Sequence, residues 1–193
     1  MAHLTTPNRR LFILFAAGFF CCTGAVFCQE TILSQEPARQ RKLSLKHDSP
    51  PVIEIVKVSD LNSPEWPNDF TLKLKNIGAK PIYYTMVYMN LPEVEAGGAH
   101  WSFPLEFGRQ EFFYRNVGEL AKPEDESIKP GEIFTLTLQA KHLENYARFL
   151  KQLAEARGMP IEVTKVEFDI NLINLGDGTG YFGNEPLPQK PRR

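Results

Sequence analysis

Few side chains in this sequence have the types and neighbours that chemistry needs. His100 stands beside Trp101, directly after Gly97-Gly98-Ala99, and a glycine-rich loop can present an imidazole and an indole to a ligand. Tyr83 and Tyr84 open an aromatic stretch that continues through Tyr88, Trp101, Phe103, Phe107, Phe112, Phe113 and Tyr114. Rings supply large contact area at low entropic cost, so those sharing an exposed sheet face would form a contact surface for protein or glycan. Because strand neighbours point to opposite sides, only one of Tyr83 and Tyr84 can be core on a one-faced sheet. Tyr83, Tyr84, His100 and Trp101 are therefore the expected ligand-binding residues.

Other chemistries find weaker support. Glu93, Glu95, Glu106 and Glu111 could furnish the carboxylate pair of a glycoside hydrolase only if folding brings two of them together; they read better as loop and strand-surface charges. Asp177, with Asp169, Asn171 and Asn174 nearby, offers oxygens to a hard cation. The spacing is not that of an EF-hand, and Asp177-Gly178 is a common turn signal. Met86 and Met89 with His100 suggest Cu(I), but the two methionines have opposite strand parity and read as ordinary core. His47 falls in a linker and His142 at a helix start, so neither is poised as a general base. No G-x-S-x-G elbow, H-E-x-x-H pair, phosphate-binding loop or dinucleotide glycine fingerprint is present. The expectation is no catalytic residue, no metal and no cofactor.

Charge and targeting set the context. Of the 193 residues, 22 are Lys or Arg and 23 Asp or Glu, a balance that removes the electrostatic case for nucleic acid. From Met1 to Gln29 no residue is acidic, Arg9-Arg10 carries the positive charge, and Leu11 to Cys28 is uncharged and mostly apolar, with small residues at Thr23-Gly24-Ala25. This is the layout of a secretory signal over residues 1–28, so the protein is expected to be exported to the periplasm or beyond, touching the membrane only through that signal. Cleavage after Ala25 and after Cys28 both remain open, and so does an uncleaved anchor. Neither cut leaves two cysteines, which excludes an intramolecular disulfide. Cleavage after Cys28 lowers Lys+Arg from 22 to 20 against 23 acids, a net −3.

The elements that position these residues follow from periodicity. Residues 29–51, rich in Gln, Ser, Arg and Lys and closed by Pro50-Pro51, read as a flexible linker, and residues 184–193, with three prolines, as a tail. Between them, residues 52–183 form one domain of ordinary size. Val52 to Val58, Asp69 to Asn76, Ile82 to Met89, Glu111 to Tyr114, Phe134 to Leu138 and Val166 to Leu172 read as strands. The second and third of these are expected to pair as a hairpin around Asn76-Ile77-Gly78. A helix over about 142–157 carries Leu143, Tyr146, Leu150 and Leu153 on one face and stops at Gly158 and Pro160. The parity change between Val163 and Val166 requires a bulge or a change of strand near Thr164-Lys165.

The stretch Phe70 to Ile82 (FTLKLKNIGAKPI), together with Ile128 to Leu138 (IKPGEIFTLTL), resembles immunoglobulin-like domains of bacterial exported proteins, including adhesion-related modules. Phe107 to Phe112 (FGRQEF) and Asp177 to Gly183 (DGTGYFG) are similar to uncharacterised exported proteins of that type. The resemblance implies a mainly β, antiparallel immunoglobulin-like sandwich, here with one inserted amphipathic helix; it implies a fold rather than an activity. The expected role is a non-catalytic binding module for a protein or glycan of the cell envelope. The alternative is an exported hydrolase or metal-handling protein whose site is assembled only by folding.

Overall fold

A computed structural model describes residues 40–113 and 120–187, all within the unit Gln35–Arg193. The signal segment expected at 1–28 lies outside the described residues. The protein is mainly β, 44% strand and 15% helical, with two largely antiparallel sheets and one α-helix. The smaller sheet has the order β2 (Ile53–Ser59), β3 (Thr71–Asn76), β6 (Ile133–Thr137). The larger runs β5 (Ala99–Gly108), β4 (Tyr84–Ala96), β7 (Lys165–Asn174), β8 (Gly180–Phe182), β9 (Glu185–Pro186), and β1 (Lys42–Leu45) joins β7 in parallel.

Alternation builds the core. Leu72 and Leu74 of β3 point inward, as do Val87, Met89 and Leu91 of β4, Phe103 and Leu105 of β5, and Val166, Phe168 and Ile170 of β7, forming one cluster shared by both sheets. The opposite face of β4 is also covered: Tyr84 and Met86 join Phe112, Leu172 and Leu187 in a second cluster. Met86 and Met89 therefore fall in separate clusters, as their opposite parity requires.

Several connections differ from the sequence-based expectation. Asp69 to Asn76 and Ile82 to Met89 do not pair as a hairpin: β3 bonds to β2 and β6, whereas β4 bonds to β5 and β7. The chain crosses from one sheet to the other through Asn76-Ile77-Gly78, a turn fixed by the Asn76 side chain accepting the Gly78 N–H at 2.9 Å. The actual hairpin is β4–β5, closed by Gly97 and Gly98, whose φ values of 62° and 80° suit the two-residue turn that matches strand twist. Residues 110–112 form a 3-10 helix rather than the strand expected from Glu111. At Thr164-Lys165, where a bulge or a change of strand was expected, the chain instead enters β7, which begins at Lys165 after residues 161–164 that are not strand. The helix, α1 (Ala140–Arg157), ends at Gly158 with φ 68°.

The ends of the domain also differ. Residues 42–45, placed in a linker by composition, form β1, and residues 185–186, placed in the tail, form β9. All four β1 residues are exposed, so backbone pairing rather than apolar burial orders the strand, and its apolar alternation is only Leu43 and Leu45, too short to set it apart from the polar stretch around it.

Candidate functional site

The four residues expected to bind a ligand do not converge. Tyr84 pairs with Gly108 at one end of the β4–β5 ladder and Leu91 with Trp101 towards the other, a separation of about 23 Å along a strand. Tyr84 is fully buried. Its hydroxyl reaches Glu106 Oε2 at 3.4 Å, and burial first, then the Glu106 charge, raise its pKa. Tyr83 is half-buried, its ring 6.4 Å from that of Phe112; a Cβ at Gly176 would lie 2.4 Å from that ring. Tyr83 precedes β4 and packs against the same cluster that buries Tyr84, so the pair does not divide between core and open sheet face as strand parity implied.

His100 and Trp101 lie in β5 rather than in a flexible loop. His100 is exposed, with Nδ1 3.9 Å from Glu95. Trp101 is the seat of the helix: its ring stacks on Phe149 at 4.8 Å and lies 5.6 Å from Tyr146, which meets Phe103 at 4.9 Å. The inward aromatics of β5 thus fix α1 on the sheet.

A different place has the concavity a ligand needs. One edge of β7 pairs with β4. On the other edge β1 pairs with residues 165–168 and β8 with residues 172–174, and the Gly183 N–H bonds Asn171 O at 2.8 Å, which leaves Asp169 and Ile170 between the ends of two strands. A groove of about 330 Å³ opens there, lined by Lys46, His47, Asp169 and Asn171 and by the segment Phe182 to Glu185. That volume is within the range of small-ligand sites.

Asp169 is the centre of the groove. It is only 8% exposed, and its carboxylate is held by Lys46 Nζ at 3.2 Å and faces His47 Nδ1 at 3.6 Å. Tyr88 stands opposite it in the β4–β7 register. Burial, followed by the charges of Glu106 and Asp169, raises the Tyr88 pKa, so that hydroxyl stays protonated at neutral pH. Sequence reading missed the groove because its walls come from segments that composition set outside the domain: Lys46 and His47 from the supposed linker, Asn184 and Glu185 from the supposed tail. Only the alternation of Asp169 within an apolar run was a signal.

The lining side chains include no serine, threonine or cysteine nucleophile. The Asp169 carboxylate is engaged by Lys46 and faces the His47 imidazole, and Glu185 is exposed. Among the described residues, no cluster of three or more His, Cys, Asp or Glu could hold a metal ion, and no helix is long and apolar enough to cross a membrane. Compared with known proteins, the chain matches no family model, no curated protein and no solved structure.

Proposed function

We propose that this protein is an exported, non-catalytic, immunoglobulin-like binding module of the cell envelope, and that its groove beside β7 holds a sugar unit of a glycan. The observation that carries this reading is the groove's chemistry. A buried carboxylate held by Lys46 and His47 stands with the amides of Asn171 and Asn184 and the ring of Phe182 around one concavity. Sugar hydroxyls both donate and accept, so they are matched by carboxylates and amides, and the C–H face of a pyranose is matched by an aromatic ring. An extended protein epitope would instead favour a flat surface of standard interface size, about 800 Å² per partner.

Titrating neutral oligosaccharides into labelled protein and following amide resonances should shift Asn171, Gly183 and Asn184 together. Asp169→Asn keeps the shape and removes a charge-assisted acceptor, so it should weaken binding about ten-fold while the spectrum remains that of a folded protein. Absence of any shift at those amides at about millimolar ligand, the weak end of ordinary affinity, would remove the glycan reading. Export is checked separately: the N-terminus of protein recovered from native cells is expected between Val26 and Gln29, and an intact Met1 in the membrane fraction would favour the anchor.

A further inference from the structure

The strand that walls the groove is held to the domain in an unusual way. β1 pairs with β7 through residues Lys42↔Lys165 to Leu45↔Phe168, with backbone bonds at its ends from Lys42 N–H to Thr164 O and from Lys46 N–H to Phe168 O, both 2.8 Å. Its side chains add little burial, since all four are exposed. What makes the seat specific is charge at each end. At the first end, Arg41 lies 4.1 Å over the Trp66 ring, donates to Leu61 O at 2.7 Å, and feels the Asp69 carboxylate. Its backbone N–H donates to Asn62 Oδ1 at 2.6 Å. At the other end Lys46 meets Asp169.

The receiving edge of β7 thus reads an extended segment carrying an Arg and, five positions later, a Lys. Cation–π contact and a buried carboxylate select such a segment at its two ends. Partners across a ladder share a face, so Leu43 and Leu45 lie on the same side as the buried Val166 and Phe168. Yet Leu43 is 42% and Leu45 46% exposed, leaving apolar surface uncovered at the sheet edge. No other described strand precedes β1 in the chain, so withdrawing it pulls no other described element out of register. The connection to β2 is only Lys46 to Val52 and contains Pro50-Pro51, whose fixed φ makes it a short, stiff hinge.

We infer that the edge of β7 is a strand-exchange site, and that residues 41–46 of a second copy of this chain dock there in place of the protein's own. The exchanged segment makes the same contacts, so the cost is only that of converting an intramolecular contact into an intermolecular one. The connection spans the sites in the closed form, so the chain's own segment competes at an effective concentration on the order of millimolar, and exchange is expected only as the protein approaches that concentration. The second copy would then contribute Lys46 and His47 to the groove of the first. This inference does not rest on what the groove binds.

Ser44 and Glu167 are paired in the register, which gives a direct test in the full chain with Cys21, Cys22 and Cys28 replaced by Ser. One preparation carries Ser44→Cys, another Glu167→Cys, and a third both. The two single variants are incubated together at rising concentration, oxidised, and analysed by mass spectrometry for the peptide joining positions 44 and 167. A conjugate between chains that grows towards millimolar concentration is the expected result. Internal linkage in the double variant with none between chains in the mixture overturns the exchange; no internal linkage in the double variant overturns the β1–β7 seat on which it depends.

Discussion

Replacing Asn76 by Ala is expected to lower the unfolding free energy by about 3 kcal/mol, the loss of several buried hydrogen bonds at about 1 kcal/mol each. Asn76 is fully buried. Its amide nitrogen donates to Ile128 O and Lys80 O, both at 2.9 Å, while its amide oxygen accepts the Gly78 N–H. Its backbone is equally engaged, taking the Gly131 N–H at 2.7 Å and donating to Glu132 O at 3.0 Å. One side chain therefore ties the end of β3 to the turn before β6 and to the crossover between the sheets. Alanine would leave two carbonyls without their donor. Asn76→Asp is the sharper variant, because it keeps shape and the Gly78 contact but turns a donor into an acceptor facing two carbonyls. It should cost at least as much as alanine in urea-induced unfolding at neutral pH. An aspartate variant as stable as the wild type would show that shape rather than hydrogen bonding holds the crossover.

The same residue shows how far the sequence was readable. Asn76-Ile77-Gly78 and Asn174-Leu175-Gly176 share the Asn-x-Gly spacing, and in both the asparagine side chain accepts the glycine N–H, at 2.9 and 2.8 Å. The turn chemistry was legible; the destination of the chain after the turn was not. An Asx turn fixes a local reversal, but whether the next strand pairs with the last or enters the facing sheet is decided by which apolar faces meet. Leu72 and Leu74 face Val87 and Met89 across the core instead of lying beside them. The β4–β5 hairpin was missed for the opposite reason. Pro92, Glu93 and Glu95 interrupt the alternation, and the register slips between Leu91 and Glu95, so the strand continues through residues that read as loop.

Strand existence was thus visible where one face is wet in Thr71–Asn76 and Ile133–Thr137, though the alternation of Trp101, Phe103, Leu105 and Phe107 in β5 went unread, and the helix was visible through its period of three and four. The groove was not, because β1 is exposed throughout, and the alternation of Leu43 and Leu45 alone is too short to distinguish Lys42–Leu45 from solvated chain. The aromatic clusters misled in a related way. Density of rings from Tyr83 onward is consistent with an exposed platform, but Trp101, Phe103, Tyr146 and Phe149 pack on one another because a helix covers one part of the sheet. At the far end of β4 its other face is covered by Phe112, Phe113 and Leu187. A ring on a sheet is a ligand platform only where no later segment returns over it, and that is a property of topology.

The register slip in β4 has its own role, and it sets the second large effect. Glu93 lies within the slip and reaches the entry of β7, where its carboxylate accepts the Thr164 N–H at 2.6 Å, the Lys165 N–H at 2.9 Å and the Thr164 hydroxyl. Burial would raise its pKa, but these three hydrogen bonds and the Lys165 charge outweigh it and hold the group below the ordinary carboxyl value. A carboxyl whose pKa is lower folded than unfolded adds stability that is fully present above the unfolded value, about 4.3 for Glu, and is lost as pH falls through the folded value. Glu93→Ala should therefore lower stability by about 2 kcal/mol at pH 7, a magnitude set by partly solvated charge-assisted bonds. The gap between variant and wild type should narrow steadily below pH 4. Urea unfolding of both proteins from pH 7 to pH 3 measures it. A gap that stays constant over that range would mean that Glu93 anchors Thr164 by packing alone and that its ionised form gains nothing from the fold.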